Sequence, residues 1–183
     1  DNGSTYHYSL PVYQIEQVRR IYGIVDNQPE DRAHIDRMQL NPYATHWLLT
    51  AITGPDYVKN DINRTFPDEG DYGYWVRFDY GKWSDGYIWK NPPGAEYSKN
   101  VDVFGKVKEY SWGRKQLYYL DKIKTATHTA LFVKKLRTDS KSEPMIYKNL
   151  GWYKNGYEDY MDMDSHPLLA LNEIILLKNE DAT

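Results

Sequence analysis

The sequence predicts a mainly β fold: successive antiparallel hairpins forming a curved sheet, a sandwich or a shell, with at most one or two short helices. Three observations predict it. Apolar and aromatic residues alternate at period two over 5–12 and again over 72–83, as side chains do when a strand presents them to opposite faces of a sheet. The aromatic complement is 18 Tyr and 6 Trp against 4 Phe, and an apolar ring body with a polar tip suits a half-buried sheet face. Gly, Pro, Asn, Asp and Ser punctuate the chain between the alternating stretches, which is turn chemistry.

The elements follow in order. Over 5–12, Tyr6, Tyr8, Leu10 and Val12 share one face and Thr5, His7 and Ser9 the other, with Pro11 placing the end at an edge or bend. Residues 13–25 fit a helical face through Ile15, Val18, Ile21 and Tyr22, and a strand face through Tyr13, Ile15 and Ile21. A turn is expected over 26–31 and a short apolar strand over 46–52, stopped by Gly54-Pro55-Asp56. A long polar loop occupies 56–71. The clearest strand is 72–83: Tyr74, Val76, Phe78 and Tyr80 line one face, and Trp75, Arg77, Asp79 and Trp83 the other. Ser84-Asp85-Gly86 reads as a turn and Tyr87-Ile88-Trp89 as the returning hairpin strand. A loop follows over 91–100. Strands are expected over 106–112 and 116–123, either side of Gly113, and over 127–136. Residues 138–144 read as a solvated loop and 157–164 as irregular. The last apolar stretch, 168–178, fits a helix starting at Pro167 or a buried strand, and Ile174-Ile175 favours the strand.

Composition bounds the function. The 183 residues suffice for one β-rich unit, with sub-units over 1–55, 56–136 and 137–183 as natural divisions. The net charge is −3 with the signs interspersed, so nucleic acid is not an expected partner. Absence of Cys excludes disulfides, thiol catalysis and Cys-based zinc sites. No apolar run approaches the roughly 18 residues of a spanning helix, so membrane insertion is not expected. No secretory leader is visible. The opening Asp1-Asn-Gly-Ser-Thr reads as interior sequence, and the chain is expected to be a segment of a longer polypeptide.

A Leu-x-x-Ile core recurs at Leu49–Ile52, Leu120–Ile123 and Leu171–Ile174, with unequal spacings that do not support a regular solenoid. Three stretches carry a resemblance. Tyr6-His-Tyr-Ser-Leu-Pro-Val-Tyr13, after Asp1-Asn-Gly-Ser, resembles the strand entry of large secreted RHS/YD-repeat-type proteins and the related Tc-toxin B-component-like and SpvB-like proteins. Tyr118-Tyr-Leu-Asp-Lys-Ile-Lys-Thr125 followed by His128-Thr-Ala-Leu-Phe132 resembles their recurring two-strand unit. Residues 47–57 followed by 71–80 are similar to a longer version with an acidic insertion. The similarity touches about two thirds of the chain. It departs from the family in having no strict Tyr-Asp-x-x-Gly repeat and no visible self-cleaving core, so neither autoproteolysis nor cargo encapsulation carries over. The resemblance implies β-sheet scaffold within a very large exported protein of a Gram-negative bacterium, extracellular, on the cell surface, periplasmic or outer-membrane-associated. Its partners would be the remainder of that polypeptide or a secretion or surface complex.

Two sets of side chains are candidates for binding. Asp56, Asp61, Asp68, Glu69 and Asp71 form an oxygen-rich loop of the kind that suits Ca²⁺, although Lys59 and Arg64 lie within it and the spacing is not an EF-hand; otherwise it is a solvated loop and no cofactor is needed. Trp75, Arg77, Trp83, Tyr87 and Trp89 form an aromatic set that, if exposed, would stack on a sugar or on a protein ligand; the competing expectation is that neighbouring strands cover this face. His7, His34, His46, His128 and His166 show no metal-ligand spacing. No nucleophile elbow or phosphate loop occurs, so the chain is not expected to be an enzyme.

Overall fold

The computed structural model describes residues 3–22, 34–90, 108–139 and 167–181. Seven strands form one antiparallel sheet: β1 (Thr5–Tyr22), β2 (His34–Gln39), β3 (Tyr43–Thr53), β4 (Trp75–Lys90), β5 (Lys108–Thr125), β6 (His128–Leu136) and β7 (Leu169–Lys178). A 3-10 turn, Asn179–Asp181, follows β7. The order across the sheet is β2-β1-β3-β4-β5-β6-β7. The fold is mainly β, and strands from 1–55, 56–136 and 137–183 share this one sheet.

The sheet also closes on itself, because β1 pairs with β5 as well. Along residues 5–14, β1 pairs with β3, and along 14–22 it pairs with β5. Gln14 is the handover, registered with Tyr43 of β3 and with Lys115 of β5. Beside it the Gln116 side chain accepts from the Tyr13 backbone N–H at 3.2 Å. The ring β1-β3-β4-β5 results, with β2 continuing along β1 beyond β3. Its inner face holds the small core of Val12, Val18, Ala51, Trp75 and Ile88. Among the described residues more polar than apolar ones are buried, Gln14, Glu16, Thr50, Thr53 and Ser84 included.

An 18-residue strand at about 3.3 Å per residue spans roughly 60 Å, too long to stay straight around a narrow ring. Bulges bend it. Thr50 and Thr45 are extra residues of β3 opposite β1, and each hydroxyl donates to a β1 carbonyl: Thr50 to His7 at 2.9 Å and Thr45 to Val12 at 3.1 Å. A bulge disrupts the ladder locally, and a threonine hydroxyl supplies a replacement bond.

Residues 13–22, which fit either a helical or a strand face in the sequence, are strand, paired with β5 over 14–22 and with β2 over 17–22. Two expectations change. Ser84-Asp85-Gly86 is not a hairpin turn: β4 runs through it as a bulge, since register steps from Ser84 opposite Leu117 to Tyr87 opposite Lys115. The Ser84 hydroxyl accepts from the Gly86 N–H at 3.1 Å and Lys82 pairs with Asp85 at 2.8 Å. Gly113 likewise does not divide two strands but lies inside β5, where it is registered with Trp89 on one side and Gln17 on the other. β7 is a strand as the sequence favours. β2 was not foreseen. The expected turn over 26–31, the loop over 91–100 and the stretch 157–164 lie outside the described residues, as does most of 138–144.

A methyl group on Gly113 would stand 2.3 Å from the Glu16 carbonyl oxygen and 2.7 Å from Gln14 Nε2, whereas one on Gly86 would meet the Arg114 side chain at 3.7 Å and beyond. Gly113→Ala is expected to destabilise the fold by about 1–3 kcal/mol through overpacking, and Gly86→Ala to stay within about 0.5 kcal/mol of the parent. Urea unfolding of both variants checks the contrast.

Candidate functional site

Between β3 and β4 the chain leaves the sheet over residues 54–74 and folds back on it. The neck is tied by the Gly54 N–H to the Tyr74 carbonyl at 2.8 Å and by paired bonds between Val58 and Tyr72 at 2.9 Å. Gly73 closes the neck at φ 80°, where a Cβ would stand 2.1 Å from the Asp56 carbonyl oxygen; only glycine meets both demands.

Asp71 organises the interior of this loop. It is buried, and four donors converge on its carboxylate: Tyr57 Oη at 2.9 Å, Asn60 N at 2.9 Å, Asp68 N at 3.1 Å and Arg64 Nη2 at 2.7 Å. Burial pushes its pKa up, but the backbone donors, the tyrosine hydroxyl and the arginine outweigh burial and hold it below the usual carboxylate range. The partner pays the reciprocal effect: burial, and then the hydrogen bond to the Asp71 carboxylate, push the Tyr57 hydroxyl up to about 12.

Asp68 and Glu69 face the sheet. Arg77 of β4 and Lys124 of β5 are registered opposite each other, a like-charge pair that destabilises a ladder. Asp68 lies between them, 2.8 Å from Lys124 Nζ and 3.6 Å from Arg77 Nη1, and Glu69 adds a contact to Lys124 at 2.9 Å. Arg77 also donates to Asp79 at 2.6 Å, and its guanidinium lies 5.5 Å from the centre of the Phe66 ring. Burial raises and the Lys124 hydrogen bond lowers the Asp68 pKa, with a net downward shift.

The five acidic candidates therefore do not converge on one point. Asp71 and Asp68 are engaged as above, Asp56 accepts from the Tyr74 N–H at 3.2 Å, Asp61 accepts from the Asn63 N–H at 2.9 Å, and Glu69 pairs with Lys124. Among the described residues no group of three or more His, Cys, Asp or Glu side chains is placed to hold a metal ion. Asp61, Asp68, Glu69 and Asp71 answer the cations Arg64, Arg77 and Lys124, a role the spacing alone did not disclose.

The aromatic candidates are drawn into the fold. Trp75, only 1% exposed, is the largest fully buried side chain among the described residues, registered with Thr53 on the inner face. Trp83 is half-buried and donates through Nε1 to the Pro167 carbonyl at 3.0 Å. Tyr87 and Trp89 are half-buried farther along β4, and burial raises the Tyr87 pKa. Arg77 is committed to Asp79, Asp68 and Phe66. The expectation of an exposed stacking platform thus fails at Trp75, and the alternative of a covered face describes it.

What sequence reasoning missed is the outer face. Residues registered across an antiparallel ladder share a face, and the register joins Tyr6 to Ile52, Ile52 to Val76, Phe78 to Ile123, Ile123 to Ala130 and Ala130 to Leu176. An apolar band therefore crosses β1, β3, β4, β5, β6 and β7, and none of these seven side chains is buried. The alternation of β1 and β4 contained this signal, with the apolar side assigned to the core.

No family model, curated protein or solved structure matches the chain.

The Asp71 carboxyl titrates lower in the folded than in the unfolded chain, so its contribution to stability is complete above the unfolded value of about 3.9 and is lost as pH falls through the folded value. Melting temperature is expected to drop steeply below that range. Asp71→Asn is expected to cost about 3 kcal/mol at neutral pH by removing one partner of a buried ion pair, and to flatten the acid limb. Thermal melts of both proteins across the acid range check it.

Proposed function

We propose that this chain is a structural β-segment of a large secreted or cell-surface bacterial protein, with no catalysis of its own. The observation that carries the proposal is the outer apolar band. A sheet face of this kind is stabilised by packing against another layer, and large contiguous apolar patches mark interaction surfaces. On the inner face the titratable groups of the 54–74 loop are bonded to one another and to the sheet, an arrangement that fixes a loop in place. The resemblance of residues 6–13, 47–57, 71–80 and 118–132 to RHS-type strand units points the same way. The partner layer would come from the remainder of the parent polypeptide or from its secretion or surface complex.

Two measurements test the proposal. The folded chain is expected to bind the apolar dye ANS, and Tyr6→Lys/Phe78→Lys to reduce that binding severalfold while β content by circular dichroism is retained. In the producing bacterium an antibody against the chain is expected to detect a species far heavier than the chain itself, in the secreted or surface fraction. A folded chain indifferent to the dye, or a species of the chain's own size confined to the cytoplasm, would contradict the reading.

A further inference from the structure

Among the described residues β7 is the last strand of the sheet, paired with β6 on one side only. Natural edge strands are guarded by lysine, proline, bulges or a covering element. The bulge in β7 is confined to Asn172, where register steps from Glu173 opposite Val133 to Leu171 opposite Lys134. Beyond it Ile174-Ile175-Leu176-Leu177 carries no charge, glycine or proline. The outer face of this stretch is open and the inner face partly so: Ile174 and Leu176 on the outer face are 55% and 68% exposed, and on the inner face Ile175 is 37% exposed and Leu177 half-buried. An unpaired backbone ladder with apolar side chains on both faces is complementary to one kind of ligand, another β-strand apolar on both faces.

We propose that this strand is β7 of a second copy, paired antiparallel about a two-fold axis that passes through Ile175 perpendicular to the sheet. Such an axis preserves the faces, so each residue meets one of its own face. Ile175 then faces Ile175 of the other copy, Ile174 faces Leu176, and Glu173 faces Leu177. The charges favour this register. Glu173 and Lys178 are the charged residues of the strand, and here they oppose Leu177 and Asn172, with no like charges facing one another. Moving the axis to Leu176 would bring Glu173 diagonally against Asp181 of the other copy, in the acidic turn after β7. Moving it to Ile174 would set two residues of the apolar run, Ile175 and Leu176, against Glu173 and Asn172, where the Ile175 axis sets one, Leu177, against Glu173. Pairing about Ile175 joins the two outer apolar bands across the new ladder. The inference stands on the edge of β7 and is tested at position 175 on the inner face, whereas the test of the scaffold reading reads Tyr6 and Phe78 on the outer face.

The chain has no cysteine, so a single introduced thiol reports one contact. Residues directly opposite in an antiparallel pair have Cα atoms about 4.5–5.5 Å apart, within disulfide reach. Full-length Ile175→Cys under mild oxidation is expected to form a disulfide-linked dimer much faster than Ile62→Cys, although Ile62 is 87% exposed. The parent chain is expected to sediment as a dimer in the micromolar range. Ile175→Lys, which opposes two ammonium groups at the axis, is expected to sediment as a monomer with unchanged β content. Cross-linking at Ile175 no faster than at Ile62 would overturn the proposal, as would a parent chain that stays monomeric. A dimer that forms without cross-linking at position 175 means that the copies meet on another face, and this too overturns it.

Discussion

Where β5 passes β1, Gly113 lies so close to the β1 backbone that a methyl group would stand 2.3 Å from the Glu16 carbonyl oxygen. The approach is held by a ladder from Gln14–Lys115 to Tyr22–Lys108 and by the Arg114 Nε to Glu16 Oε1 bond at 2.8 Å. Both ends of that ion pair are mostly buried, so removing one would strand the other in a poor solvent for charge. Closure of the sheet turns one face inward, and the other consequences follow from this. The inner face takes Trp75 and the polar residues of β1 and β3, while the outer face keeps the apolar band.

Closure also accounts for the 54–74 loop. β3 and β4 pair only over Ala51–Thr53 and Trp75–Arg77, so the connection between them must return to the same end of the sheet. Arg77 and Lys124 come to lie side by side there, and the loop delivers Asp68 and Glu69 to them. Asp71 in turn fixes the loop from inside. The arrangement is a chain of neutralisations, each carboxylate matched to a donor or cation in a partly desolvated place where the match counts for more than it would in water.

Much of the fold was legible in the sequence, because strand alternation is a local property. Residues 5–12, 46–52, 116–123 and 128–136 are strands as the sequence implied, of the expected strand 72–83 the part from Trp75 onward is strand, and Ile174-Ile175 correctly favoured strand over helix. What was not legible depended on partners distant in the chain. Ser84-Asp85-Gly86 has the composition of a turn but is held open as a bulge by the opposing β5. β2, with the sequence His-Ile-Asp-Arg-Met-Gln, lacks clear alternation and is strand because β1 offers it an edge. The aromatic and acidic candidates were sensible residue types in the wrong setting: Trp75 faces the core, and Asp61, Asp68, Glu69 and Asp71 face cations that lie 3 to 56 positions away in sequence. The outer band was visible as alternation, but which face is inside is decided by the β1–β5 closure, and no local pattern records that.

Hydrogen exchange at individual amides tests the closure most directly. If the sheet is a ring, the amides of Gln14–Val18 and Ser111–Lys115 exchange as slowly as those of the central β4–β5 ladder and are released together with them in one cooperative opening. Fast exchange across the β1–β5 ladder, with β4–β5 still protected, would show an open sheet and contradict the account.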